Sequence, residues 1–190
     1  MLLAARHLVD RLRHPRSRAD DLDGLRRRLA AAEGPGEVSE EEREAAAAIA
    51  RVRQELFNAF GPVEACRGCA KGHPLPHGRW SGGHCCGCRT EQVFTDDEVA
   101  VLKLTGTTTS KLTPPAGDHA GCVFRGPEGC SIDVADRPSI CVRYVCRELE
   151  GELRARGDLK KIRGLGERLA KELGRFSRAR AARRSGSTGA

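Results

Sequence analysis

Nine cysteines lie between Cys66 and Cys146, and they constrain the fold of this 190-residue chain more than any other feature. A cysteine at about one position in nine over this stretch is typical of a chain that is held together by cross-links. Aromatic residues make up only 4% of the sequence, so its hydrophobic core must be modest and rich in Leu, Val and Ala. We therefore expect the cysteines to supply stability that the core does not.

The kind of cross-link depends on the compartment. The chain begins with a short apolar run that is broken by Arg6, His7 and Asp10, which is typical of an amphipathic helix rather than a signal peptide. No apolar segment approaches the roughly 20 residues that span a bilayer, so no membrane partner is expected. A cytoplasmic chain meets a reducing thiol pool, which disfavours stable disulfides. The odd cysteine count also leaves a thiol over in any disulfide scheme, so metal ligation is the preferred interpretation.

The sequence divides into four predicted segments. Residues 1–64 are helical, residues 65–150 form a cysteine-cluster metal-binding domain, residues 151–178 form an amphipathic basic helix, and residues 179–190 are a disordered tail. The predicted fold class is thus a small irregular α+β cysteine-rich metal domain, flanked by N-terminal helices and a basic C-terminal amphipathic helix.

Three helices are predicted in the N-terminal segment from apolar residues at helical spacing. The first ends at Pro15 and the second covers residues 18–33. The third starts at a capping box formed by Ser39 and Glu42 and ends at Gly61. These helices contain no cluster of reactive side chains, so we expect them to cover the metal domain or to mediate dimerisation.

The middle segment is expected to contain the β structure. Residues 92–94 are predicted to form a short strand, and residues 95–98 form a second capping box that opens a helix. The alternating runs at residues 121–124 and 130–133 predict a small hairpin, with residues 125–129 as its connection.

The last segment is basic. Residues 151–190 carry 12 Lys and Arg side chains against 4 Asp and Glu. Apolar residues recur at steps of three and four between Leu159 and Phe176, which predicts an amphipathic helix with a basic outer face. Such a face can bind phosphates, although aromatic residues that would stack on bases are scarce.

The spacing of the N-terminal cysteines favours a metal site. In Cys66-x2-Cys69 a short loop lets two sulfurs converge on one ion, and the Pro-containing stretch that follows opposes the helix of a thioredoxin-like redox pair. Adjacent side chains such as those of Cys85 and Cys86 point to opposite faces of an extended backbone. Adjacent cysteines suit an iron–sulfur cluster with several irons better than one tetrahedral zinc ion, but both kinds of metal centre stay open as alternatives.

Three further features carry a family resemblance. The first is the pair of adjacent cysteines Cys85-Cys86, and the second is a Val-Phe-Thr-x-x-Glu segment at residues 93–98. The third is a distal block that combines cysteines with Phe, Ile and Arg-Pro, at residues 121–124, 130–132 and 137–141. In these features the chain from Cys66 to Cys146 resembles the YkgJ-type cysteine-cluster family, whose CxxCxxCC domains chelate zinc or iron. The resemblance implies that the cofactor is an Fe–S cluster, with 4Fe-4S favoured, or Zn²⁺.

The resemblance also implies a set of ligands. Eight cysteines are candidate metal ligands, namely Cys66, Cys69, Cys85, Cys86, Cys122, Cys130, Cys141 and Cys146. Cys88 is outside this set. One zinc ion or one cubane cluster takes four ligands, so either two centres form or about half of these thiols pack as small hydrophobes. The chain departs from the compact family motif because 15 residues separate Cys69 from Cys85.

The expected function is metal binding by a cytoplasmic cysteine-cluster protein that is non-catalytic or accessory, with an unknown protein partner and no catalytic residues. Two alternatives stay open. One is a metal-dependent enzyme related to the flagellin lysine N-methylases, where a similar cysteine block occurs in a longer chain. The other is a nucleic-acid-binding module that uses the basic C-terminal helix.

Overall fold

The computed structural model describes residues 18–63, 90–115, 122–126 and 129–186 of the chain. Helices make up most of this part. The helices are α1 (Arg18–Ala31), α2 (Glu40–Phe60), α3 (Thr90–Val93), α4 (Asp96–Leu104), α5 (Ser139–Arg143), α6 (Arg147–Arg156) and α7 (Leu159–Gly186). Short 3₁₀ turns cover Thr109–Lys111 and Val134–Asp136. The predicted helix that ends at Pro15 and the cysteine loop at residues 66–89 lie outside the described residues.

The expected α+β fold class is wrong. The strands found in the described residues are β1 (Arg125–Gly126) and β2 (Gly129–Cys130), which pair antiparallel over two residues each. They fall almost wholly within residues 125–129, which were predicted to connect the two strands of the hairpin. The apolar residues of the predicted strands are buried against helices rather than in a sheet. A pair this short has no sheet face that could form a layer of the fold, so the architecture is helical.

Helix α2 forms as its sequence predicts. The Ser39 hydroxyl accepts a hydrogen bond from the Glu42 backbone N–H at 3.2 Å, and Glu42 Oε2 accepts one from the Ser39 N–H at 2.9 Å. This reciprocal pair is the predicted capping box. The helix ends at Gly61, whose φ of 56° is readily reached only without a side chain and whose N–H donates to the Phe57 carbonyl.

The segment before α4 is a helical turn, not the predicted strand. The Phe94 N–H donates to the Thr90 carbonyl at 2.9 Å, which is the spacing of an α-helical turn. Thr95 then caps α4 through a 3.3 Å bond from the Glu98 N–H to its hydroxyl. The Glu98 carboxylate does not complete the expected capping box. It bonds instead to Arg53 and Ser139, far away in the sequence.

The basic C-terminal region forms two helices rather than one. Gly157 adopts a left-handed conformation with φ of 79°, and the Asp158 N–H reaches back to the Leu153 carbonyl at 3.0 Å. This is a Schellman end, and it stops α6 before α7 begins. Helix α7 continues to Gly186, so residues 179–186, which were expected to be a disordered tail, are helical. Residues 187–190 lie outside the described residues.

Two hydrophobic clusters form the core. The first, here called the helical cluster, joins α2 to α6 and α7, and the long helix α7 packs along α2. The second, here called the cysteine cluster, joins α1 to α4 and to the distal cysteine block. Helix α4 lies between them, because Ala100 and Val101 belong to the helical cluster while Val99 and Leu102 belong to the cysteine cluster.

Candidate metal centre

Three of the candidate ligands lie in the cysteine cluster. Cys122 is buried within it, and Cys130 and Cys141 are half-buried and pack against it. Each comes from a different short element, namely the stretch before β1, the end of β2 and the middle of α5. The fold therefore gathers onto one hydrophobic core three thiols that span 20 residues of sequence.

The residues interposed between these cysteines build the same core. Phe124 and Ile132 are buried in the cysteine cluster together with Val93 and Phe94 from the segment before α4. The rings of Phe94 and Phe124 pack at a tilt, with their centroids 5.5 Å apart. The Val-Phe-Thr-x-x-Glu segment and the distal block, which are separate in sequence, thus pack as one unit.

Hydrogen bonds fix the distal block on this core. The Val123 N–H donates to the buried Thr90 hydroxyl at 3.1 Å, which ties the residue after Cys122 to the start of α3. Ser131 N–H donates to the Phe124 carbonyl at 2.9 Å, next to the β1–β2 pair. Arg137 donates from Nε to the Ile132 carbonyl at 2.9 Å, so its guanidinium braces the turn that leads into α5.

Cys146 lies apart from the other three. It packs against the helical cluster rather than the cysteine cluster. It is also the N-cap of α6, where its sulfur accepts a hydrogen bond from the Leu149 N–H at 3.5 Å. Both contacts account for a half-buried thiol without a metal.

The described cysteines do not make a complete site by themselves. Among residues 18–63, 90–115, 122–126 and 129–186, no group of three or more His, Cys, Asp or Glu side chains is arranged to hold a metal ion. The other four candidates, Cys66, Cys69, Cys85 and Cys86, lie outside this part of the chain, as does Cys88. The donor chemistry still fits a metal centre, because thiolates are the ligands that zinc and Fe–S clusters prefer.

A buried ion pair lies beside this core. Arg53 on α2 is only 1% exposed, and its Nη2 group donates to Glu98 Oε2 on α4. The Ser139 hydroxyl accepts from Arg53 Nε at 3.1 Å and from Nη2 at 2.9 Å, while the Ser139 N–H donates to Glu98 Oε1 at 3.0 Å. The three side chains join α2, α4 and the start of α5, which is the helix that carries Cys141.

The electrostatics of this network reflect its burial. Burial lowers the pKa of the Arg53 guanidinium, and the charges of Glu98 and Cys141 oppose that shift. Burial likewise raises the pKa of Glu98, against the opposing effects of Arg53 and Ser139.

Sequence reasoning missed Arg53 because the N-terminal helices were taken to contain no chemistry. A signal was present, since Arg53 follows Ile49 by four residues and precedes Leu56 by three, which puts a charged side chain on the apolar face of α2. A cation at such a position requires a buried partner. The partner, Glu98, is 45 residues away, and nothing local identifies it.

Most arginines of α7 are paired with carboxylates, whereas Lys160, Lys161, Lys171 and Arg178 are exposed. Arginines along this helix pair with carboxylates of the packed elements, as shown by Arg163 with Glu150, Arg168 with Glu55, Arg175 with Glu44, Arg180 with Asp97, and Arg183 with Glu33 and Glu42. Charges neutralised in this way add little to phosphate binding. The nucleic-acid interpretation gains no support from these contacts.

None of the helices in the described residues is both long enough and apolar enough to cross a membrane. No protein-family model, no curated protein and no solved structure matches the chain.

Proposed function

We propose that this protein binds one thiolate-ligated metal centre, an Fe–S cluster or zinc, in the manner of the YkgJ-type cysteine-cluster domains, and that it acts as a non-catalytic or accessory protein. Its four ligands are drawn from two groups, which are Cys122, Cys130 and Cys141 of the distal block and Cys66, Cys69, Cys85 and Cys86 before it. The metal contributes much of the folding free energy of a chain with a small core. We place the protein in the cytoplasm, where these thiols stay reduced.

One observation carries the proposal. The features that define the resemblance, which are the Val-Phe-Thr-x-x-Glu segment and the Phe and Ile between the distal cysteines, pack in the same cluster as Cys122, Cys130 and Cys141. A cysteine pattern that arose by chance has no reason to share a core with the rest of its motif. This packing supports a shared role for these three cysteines and the other residues of the motif.

The contacts of Cys146 exclude it from the ligand set that we propose. Its sulfur caps α6 and packs against the other cluster. Cys146→Ser keeps an oxygen that can accept the same Leu149 N–H, since serine is a preferred N-cap residue. This variant is therefore a matched control for substitutions of the other cysteines.

Metal analysis of anaerobically purified protein tests the proposal. A brown protein with iron and acid-labile sulfide identifies an Fe–S cluster, and a colourless protein with zinc identifies a zinc site. Cys85→Ser and Cys130→Ser are each expected to lower the metal content per chain severalfold, while Cys146→Ser keeps it at the wild-type level. Wild-type protein without metal would contradict metal binding, and unchanged metal in both Cys85→Ser and Cys130→Ser would remove those residues from the ligand set.

A further inference from the structure

A cleft of about 620 Å³ opens where α6 ends and α7 begins. This volume lies within the range of sites that hold small molecules in proteins. The lining includes three cations, two glycines and one carboxylate, namely Arg154, Lys160, Arg163, Gly157, Gly164 and Glu167. None of the described cysteines lines it, so the cleft is separate from the proposed metal centre.

The positive charge of this cleft is only partly compensated. Arg154 Nη2 and Arg163 Nη2 both donate to Glu150 Oε1, at 2.6 Å and 3.0 Å. One carboxylate offsets the charge of only one of these two guanidinium groups. Lys160 is exposed and has no ion pair among the described residues. With Glu167 included, three cations stand against two carboxylates, which leaves the cleft with a net positive charge.

A second cleft of similar size shows that this excess is not general on the surface of the described residues. It lies between α2 and α7 and measures about 630 Å³. Its lining includes three carboxylates and three guanidinium groups, namely Glu40, Glu44, Glu172, Arg43, Arg51 and Arg175. The charges balance there, whereas those of the α6–α7 cleft do not.

The two guanidinium groups of the α6–α7 cleft keep most of their donors available. A guanidinium presents five N–H groups and no acceptor. Arg154 and Arg163 each use one nitrogen for Glu150, and no second acceptor for either lies in the described part of the chain. Because both Nη2 atoms lie within 3.0 Å of the same oxygen, the two cations are close together. Paired guanidinium groups with free donors suit an anion that has several oxygens.

The wall of the cleft on α7 contains a glycine that packing does not require. Gly164 lies in the interior of a long helix, where glycine is less stable than alanine. A Cβ atom at Gly164 would meet no atom within 4 Å, so no close contact explains the missing side chain. Since Gly164 lines the cleft, a side chain at this position would reduce its volume.

We propose that the α6–α7 cleft binds the phosphate group of a small phosphorylated molecule. Arg154 and Arg163 donate to the phosphate oxygens from nitrogens that Glu150 does not use. Lys160 adds a third cation, and Glu167 accepts from a hydroxyl group on the rest of the molecule. A phosphate monoester suits these donors because it carries a charge of about −1.5 to −2 at pH 7 and three acceptor oxygens. The site is independent of the metal centre.

The experiment is calorimetric titration of the full-length protein with ribose 5-phosphate at constant ionic strength and near-neutral pH, with ribose as the control ligand. One test variant combines Arg154→Gln with Arg163→Gln. Its control is Lys171→Gln, because Lys171 is an exposed cation of α7 that is not part of the cleft lining. The other test variant is Gly164→Gln, which fills space without changing charge. Its control is Gly151→Gln, since a Cβ atom at Gly151 is equally free of contacts.

Wild-type protein is expected to bind ribose 5-phosphate with a Kd of about 1 mM or lower and to bind no ribose. The double arginine variant should weaken binding about 10-fold or more, because it removes charged hydrogen-bond donors. Gly164→Gln should also weaken binding, whereas Lys171→Gln and Gly151→Gln should keep the wild-type affinity. Arg154 and Arg163 are mostly exposed, so their replacement should leave the thermal unfolding midpoint unchanged.

Four results would count against this proposal. Wild-type protein that does not bind ribose 5-phosphate at about 10 mM would overturn the site and leave metal binding untouched. Equal weakening by Lys171→Gln and the double variant would show an effect of net charge alone. Wild-type affinity in Gly164→Gln would place the phosphate outside the cleft. A short single-stranded RNA that binds more tightly, and loses affinity in the same variants, would keep the phosphate site but overturn the small-molecule ligand.

Discussion

Two arginine–carboxylate networks hold the helices together, and they differ in what surrounds them. The inner network consists of Arg53, Glu98 and Ser139 beside the cysteine cluster. The outer network centres on Arg183 near the end of α7, which donates from Nε to Glu42 Oε2 at 2.7 Å and from Nη2 to Glu33 Oε2 at 2.8 Å. Both bring a guanidinium of one helix to carboxylates of another.

The two networks affect their carboxylates in opposite directions. The hydrogen bond from Arg183 lowers the pKa of Glu33, and Arg183 and Ser39 together lower that of Glu42 in spite of its burial. Burial instead raises the pKa of Glu98 in the inner network. The outer network thus has enough donors to stabilise its charges, whereas the inner one is dominated by desolvation. The outer network is partly open to solvent and rich in donors, whereas the inner network is closed off from solvent and leaves Arg53 Nη1 without a hydrogen bond in the described part of the chain.

Breaking the inner network should have the largest effect on stability. Arg53→Met leaves the Glu98 carboxylate buried without its cation, so we expect the free energy of unfolding to fall by about 3–5 kcal/mol. Adding Glu98→Gln removes that buried charge and should restore most of the loss. Urea unfolding of each protein in the same metal-loading state measures both effects, since bound metal shifts apparent stability.

The double variant decides how this result is interpreted. If Arg53→Met with Glu98→Gln is as unstable as Arg53→Met alone, the loss comes from packing of the long side chain and not from an unpaired charge. A loss below about 1 kcal/mol for Arg53→Met would contradict the burial of this pair altogether.

Breaking the outer network should have a smaller effect. Arg183→Gln removes hydrogen bonds to two carboxylates, but Glu42 keeps its bonds from Ser39 and Glu33 is partly exposed. We expect a loss of about 2 kcal/mol by urea unfolding. Arg178→Gln, an exposed arginine on the same helix, is the control and should change stability by less than about 0.5 kcal/mol. Equal losses in the two variants would show that Arg183 acts through helix propensity alone.

The same networks explain which parts of the fold were predictable from sequence. The cap and the end of α2 depend on Ser39, Glu42 and Gly61, which lie within the helix or next to it, and these were predicted correctly. The helical state of residues 179–186 depends on pairs such as Arg180 with Asp97 and Arg183 with Glu33, which join residues 83 and 150 positions apart. Composition alone predicted a disordered tail there, but tertiary contacts stabilise a helix instead.

The candidate site was predictable in part for the same reason. Its cysteines and their interposed Phe and Ile could be identified from spacing, and packing brings Cys122, Cys130 and Cys141 to one cluster. Glu98 looked like half of a local capping box, because Thr95 precedes it by three residues. Its actual partners, Arg53 and Ser139, are 45 and 41 residues away, and sequence pattern contains no information at that range.

The pH dependence of stability should show the smallest difference between the networks. The pKa values of Glu33 and Glu42 are lowered from 4.5 in the folded chain, so the unfolded chain binds protons first as the pH falls through that value. The stabilisation from these carboxylates is therefore complete above pH 4.5 and is lost on acidification.

Arg183→Gln removes the main favourable partner of both carboxylates, which brings their pKa values back toward the ordinary value. Urea unfolding of wild type and Arg183→Gln between about pH 6 and pH 3 should therefore give a stability difference that shrinks on the order of 1 kcal/mol toward low pH. Because Glu98 is unchanged in both proteins, its raised pKa cancels in this difference. A difference that stays constant with pH would mean that Arg183 stabilises α7 without stabilising the charges of Glu33 and Glu42, and the contrast between the two networks would fail.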